Sequence, residues 1–134
     1  MDFDKIFGEY KNIAVLGMSS NPSKAAHTVP VYIKKQGYNL MPVNPKYDEI
    51  AGIKAYSDLS EVPEGIDILN VFRPSGEAVD IVKQAIKRNR EKGDIKLIWF
   101  QLGIENEEAK ELARENGFDY IEDRCIYVEY NKVN

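Results

Sequence analysis

Five short apolar runs, four of which end in a break at glycine, proline or asparagine, constrain this chain more than any other feature. Residues 13–16 stop at Gly17, residues 39–43 at Asn44-Pro45, residues 67–72 at Arg73-Pro74, residues 95–100 at Gln101-Leu102-Gly103, and a shorter fifth run covers about 119–121. Apolar runs of this length predict strands buried on both faces, the mark of a parallel sheet covered by helices. Helical patterns fill the intervals. Val29, Tyr32 and Ile33 share one face, Ala78, Val79, Val82, Ala85 and Ile86 form a stripe, and Asn106 opens a third helix with Glu107 and Glu108 near its positive end. Alternation with connections long enough for crossovers predicts an α/β fold, a Rossmann-like three-layer sandwich around a central parallel sheet of about five strands.

The remaining stretches are read locally. Phe3, Ile6 and Phe7 predict a leading helix with Gly8 as its stop, and Thr28 is a cap that places Pro30 in the first helical turn. Residues 50–56 are an irregular piece with one edge strand, and 57–62 make a single helical turn capped by Ser57. Ile126, Val128 and Tyr130 alternate, as in a final short strand or packed loop.

A chain of 134 residues fits one domain spanning 1–134. Its formal charge of -4 argues against nucleic acid as a partner, and the one basic run, 87–90, reads as a solvated helix face. No apolar run approaches the roughly 20 residues that cross a bilayer. A single cysteine, Cys125, cannot form an internal disulfide, so the cytoplasm is the expected compartment.

In an open parallel sheet ligands bind beyond the carboxyl ends of the strands, so the loops 17–24, 44–47, 73–75 and 101–103 are expected to converge. A dinucleotide fingerprint needs two more glycines after Gly17 and an acid closing the second strand, yet Ser19 and Asn21 or Pro22 stand at the first positions and Val43, Asn44 and Pro45 at the last. The first loop nevertheless carries equipment for phosphate. Ser19, Ser20 and Ser23 add hydroxyls, Lys24 adds charge, and a helix begins just beyond. The bland alternative is a solvated turn whose serines bond their own backbone. Lys46 at the second loop and Arg73 at the third tip the balance toward an adenosine carrying several phosphates.

These residues bring out a resemblance. IAVLGMSSNPSK at 13–24, GYNLMPVNPKY at 37–47, DILNVFRP at 67–74, IWFQLGIENEEA at 98–109 and DRCIYVE at 123–129 resemble the small stand-alone CoA-binding proteins, Rossmann domains similar to the CoA-binding domain of the succinyl-CoA synthetase alpha subunit. The resemblance implies coenzyme A or an acyl-CoA as ligand. Gly17, Ser19, Asn21 and Lys24 would line its pyrophosphate, and Val43, Asn44, Pro45 and Lys46 would hold the adenosine and 3′-phosphate. Phe72 and Arg73 would flank the groove, with Gln101 and Gly103 nearer the pantetheine arm. Met18, Pro30 and the length of 87–93 depart from the family pattern.

Chemistry is harder to find. No cluster of His, Cys, Asp and Glu has metal-ligand spacing, and His27 reads as a cap or surface residue at a helix entrance. Cys125 reads as a small buried residue beside an Asp123–Arg124 pair, or as a thiol whose pKa Arg124 lowers and which meets the CoA thiol. The expected function is a non-catalytic CoA-binding module. The alternatives are a CoA-linked thiol/disulfide or acyl-transfer enzyme using Cys125, or a nucleotide-dependent oxidoreductase.

Overall fold

The computed structural model describes residues 1–134. Along the chain run α1 (Phe3–Glu9), β1 (Asn12–Leu16), α2 (Ala25–Lys35), β2 (Asn39–Val43) and a small hairpin of β3 (Glu49–Ile50) and β4 (Ile53–Lys54). After a 3₁₀ turn at Leu59–Glu61 come β5 (Ile68–Val71), α3 (Ala78–Glu91), β6 (Leu97–Phe100), α4 (Glu107–Glu115), β7 (Asp119–Ile121) and α5 (Ile126–Val133). The main sheet has five parallel strands in the order β2-β1-β5-β6-β7. The chain winds outward from β1 to β2, then crosses back to β5 beside β1. The strand order therefore reverses between β1 and β5, where the loops beyond the strand ends diverge and leave a crevice.

Alternation along the strands splits the core in two. Ile13, Val15, Ile68, Leu97 and Trp99 face Ile6, Phe7, Ile33 and Ile126 of α1, α2 and α5. Ala14, Leu69, Val71, Ile98 and Phe100 face Ala78, Val82, Ala85, Ala109 and Ala113 of α3 and α4. Burying each large apolar side chain contributes about 1.5–3 kcal/mol, so both layers are firmly held to the sheet. The α/β sandwich expected from the apolar runs is the fold observed. No helix is long and apolar enough to cross a membrane.

Several local expectations are corrected. The last segment is a helix: Ile126 and Glu129 are buried one turn apart, Tyr130 sets its ring edge on Phe7 at 5.3 Å, and the Gln101 Oε1 accepts from the Ile126 N–H at 2.9 Å. Alternation at 126, 128 and 130 concealed the helical spacing of 126, 129, 130 and 133. Gly8 lies inside α1, and Tyr10 closes that helix through its N–H to the Ile6 carbonyl. Ala51 and Gly52, with φ of 53° and 77°, turn the β3–β4 hairpin, so two tiny strands replace the one expected. Asp58, not Ser57, caps the 3₁₀ turn by accepting from the Ser60 N–H. Helix α2 starts four residues before Thr28 would place it, which puts Pro30 in its interior.

The basic run is corrected too. Arg88 is only 3% exposed. Its Nη1 donates to the carbonyls of Leu59 at 2.7 Å and Val62 at 2.9 Å, and its Nη2 to that of Glu64 at 3.0 Å and to the Asp94 carboxylate at 2.8 Å. Asp94 also accepts from the Ile66 N–H at 2.7 Å. Burial opposes ionisation of Asp94, but the hydrogen bonds from Arg88 and Ile66 outweigh it and hold the carboxyl below the usual carboxylate range.

Candidate functional site

At the point where the strand order reverses, Gly17 leaves β1 with φ +86°. A Cβ there would stand 2.7 Å from Arg73 Cδ and 3.0 Å from the Phe72 carbonyl oxygen, so glycine is required both by conformation and by the approach of the next loop. The Gly17 N–H reaches the Val43 carbonyl at 3.1 Å and the Phe72 N–H reaches that of Leu16 at 2.9 Å. Three loop bases are thereby locked together.

A cleft of about 390 Å³ opens over this junction. Of the residues singled out in the sequence, it is lined by Gly17, Val43, Asn44, Pro45, Lys46 and Arg73. Asn44 ties the first two loops: its Nδ2 donates to the Met18 carbonyl at 3.1 Å, and its Oδ1 accepts from the Lys46 N–H at 3.0 Å. Sequence reasoning missed the far wall, where Ser57, Asp58 and Leu59 face Glu77, Ile81 and Gln84 of the segment leading into and along α3. Three bonds from Arg88, to the carbonyls of Leu59, Val62 and Glu64, hold that wall and the segment behind it against α3.

The charges lining the cleft cancel: Lys46 and Arg73 against Asp58 and Glu77. Arg73 is forked onto Glu77, Nε to Oε1 at 3.1 Å and Nη2 to Oε2 at 2.8 Å, and that hydrogen bonding raises the guanidinium pKa further above its ordinary value. Asp58 accepts from both the hydroxyl and the N–H of Ser60, which lowers its carboxyl pKa.

The first loop folds on itself as the bland reading expects, and in doing so leaves donors free. Ser19 Oγ accepts from the Asn21 N–H at 3.0 Å, and Asn21 Oδ1 accepts from the Ser23 N–H at 3.0 Å and hydroxyl at 2.8 Å. The Ser19 N–H donates to the Ala26 carbonyl at 3.1 Å. That carbonyl is available because Pro30, four residues along α2, has no N–H to offer it. His27 Nδ1 lies 2.7 Å from the Ser19 carbonyl, which fixes the proton on Nδ1 and gives His27 a tethering role. The N–H groups of Ser20, Ala25 and Ala26 have no acceptor in the chain. Ser19, Ser20, Asn21 and Lys24 do not line the cleft itself.

The other candidates lie elsewhere. Phe72 packs with the α1, α2 and α5 layer, and Gln101, 5% exposed, spends its Oε1 on Ile126 and on Asn70 Nδ2 at 3.4 Å. Gly103 donates its N–H to Asp123 Oδ1 at 2.7 Å. Beside them a second, more open depression is lined by Leu102, Glu122, Arg124, Cys125 and Val128. The Asp123–Arg124 pair is not formed: Arg124 Nη1 instead lies 3.6 Å from Glu129, a buried carboxylate that Lys132 also meets at 3.3 Å. Cys125 is half-buried at the start of α5.

Comparison with known proteins identifies the family and the fold. The family described as CoA binding domain matches residues 11–131. An uncharacterised protein of Bacillus subtilis, YneT, is 36% identical over 96% of this chain and 92% of its own length. The alpha subunit of an ADP-forming acetate–CoA ligase from Pyrococcus furiosus is 30% identical over 92% of this chain, which spans only 28% of that subunit. Among solved structures, a hypothetical protein from Pyrococcus horikoshii superposes with a TM-score of 0.91 at 34% identity, covering 98% of this chain and 89% of the other.

Proposed function

Since this chain belongs to the CoA-binding domain family, we propose that it binds coenzyme A or an acyl-CoA through the ADP moiety in the cleft over Gly17, as a single-domain module without catalysis of its own. The observation that carries this reading is the meeting of Gly17, Lys46 and Arg73 on one cleft whose β2 edge ends in Asn44-Pro45 with no acid to hold a ribose diol. Lys46 takes the 3′-phosphate, and Val43 and Pro45 pack on the adenosine. The pyrophosphate lies toward Ser20 and Lys24 and the free N–H groups of Ala25 and Ala26, where the α2 dipole favours negative charge. Gln101 acts through the packing of α5, and the pantetheine arm runs past Gly103.

A non-catalytic role is supported by the engagement of the groups that chemistry would need. The cation nearest Cys125 in sequence, Arg124, faces Glu129. The ligase activity of the larger relative belongs to that protein, of which this chain spans about a quarter.

The test is thermal unfolding with CoA, acetyl-CoA, NAD and NADP side by side. A ligand at a hundred times its Kd adds about 2.7 kcal/mol of stability. CoA and acetyl-CoA are expected to raise Tm and NAD is not. Stabilisation by NAD with none by CoA overturns the reading.

A further inference from the structure

Arg73 already holds an anion. Its stem crosses Gly17 so closely that even one added carbon there would touch its Cδ, and its guanidinium is gripped by both oxygens of Glu77. Yet the pair is not sealed in the protein, since the two side chains are 47% and 46% exposed and both line the cleft. A phosphate that approaches Arg73 from the cleft meets a fork whose best donor geometry is taken, and a carboxylate that repels it. Asp58 does not play the same part, because the Ser60 hydroxyl and N–H hold its carboxylate in place.

We propose that Glu77 is an internal competitor for the ligand: its carboxylate occupies the Arg73 fork in the free protein and yields it to a ligand phosphate. Glu77 thus sets the affinity of the cleft for phosphate-bearing ligands and leaves binding of an uncharged nucleoside unaffected. This deepens the CoA-binding reading and rests on it. The exchange replaces one charge-assisted pair by another, so the bound state gains only the difference between the two anions. Glu77 is an affinity-setting residue that acts through Arg73.

The experiment is calorimetric titration of wild type, Glu77→Gln, Arg73→Gln and the double variant with CoA, 3′,5′-ADP and adenosine. Glu77→Gln is expected to bind CoA and 3′,5′-ADP about two- to fivefold more tightly, the size of an exposed ion pair, with adenosine unchanged. In the Arg73→Gln background the same substitution is expected to give no gain, because no fork remains to be released. An undiminished gain in that background would reduce Glu77 to a simple repelling charge and overturn the exchange, as would an equal gain for adenosine. Wild type that binds CoA but is matched by Glu77→Gln overturns this inference alone. Wild type that binds neither CoA nor 3′,5′-ADP overturns the CoA reading beneath it. Circular dichroism of each variant confirms that the fold is retained, as expected for two exposed side chains.

Discussion

Two arginine–carboxylate pairs of the same 2.8 Å length have opposite roles in this molecule. Arg73–Glu77 stands in the mouth of the cleft with both partners about half exposed, whereas the side chains of Arg88–Asp94 are 2% and 13% exposed behind its wall. Geometry alone does not separate them. Surroundings do: Arg88 also binds three backbone carbonyls, so no competitor can reach it, and its removal would take the donor from the Val62 and Glu64 carbonyls and the counter-charge from Asp94. Arg73 has one partner, and water or a ligand can replace it. The lesson is that a cation in a binding cleft must be exchangeable, while the cation that shapes the cleft must not be.

The comparison breaks most visibly if the buried pair is cut. Arg88→Ala is expected to cost about 3–5 kcal/mol in urea unfolding, because a half-buried carboxylate loses its counter-charge and two backbone carbonyls lose their donor. An unfolding midpoint near wild type would show that Arg88 is no staple. Gly17→Ala comes next. Its Cβ would press on Arg73 and Phe72 at a φ that disfavours alanine, for a loss of about 1–2 kcal/mol. CoA affinity should fall at least about tenfold with it, since Arg73 has to move.

Acidification sharpens the contrast further. Asp94 has a native pKa below its unfolded value of about 3.9, so its stabilising contribution is complete above about pH 5 and is lost as pH falls through the unfolded and then the native pKa. Wild-type Tm should therefore drop between about pH 5 and 3 more steeply than that of Asp94→Asn, and parallel curves would contradict the assignment. The smallest effect belongs to the exposed pair. Glu77→Gln should change unfolding free energy by less than about 1 kcal/mol, even as it changes ligand affinity.

The sequence made some of this legible and hid the rest for physical reasons. Buried parallel strands leave unbroken apolar runs, so β1, β2, β5 and β6 could be read directly, and with them the loops that meet over the cleft. Gly17, Asn44-Pro45-Lys46 and Arg73 were visible because they sit where those runs stop. Arg88 was not, because its neighbours Lys87 and Arg90 give it the look of a solvated face, and its burial is decided by carbonyls 24 to 29 residues away. The wall at 57–59 carries no local signature either, being held from behind. Gln101 stood at the expected strand end, but its amide was claimed by Asn70 and by the first residue of α5, a helix the local alternation disguised.

The bond from the Ser19 N–H to the Ala26 carbonyl has a consequence for how this loop can vary. It ties the conformation of 17–24 to the rotational phase of α2. Inserting one residue between Asn21 and Lys24 would either turn Ala26 about 100° around the helix axis, away from Ser19, or leave the Ser19 N–H facing the Ala25 carbonyl, which Pro30 does not free. Loop length and proline position are thus inherited together, and a chain that changes one must change the other.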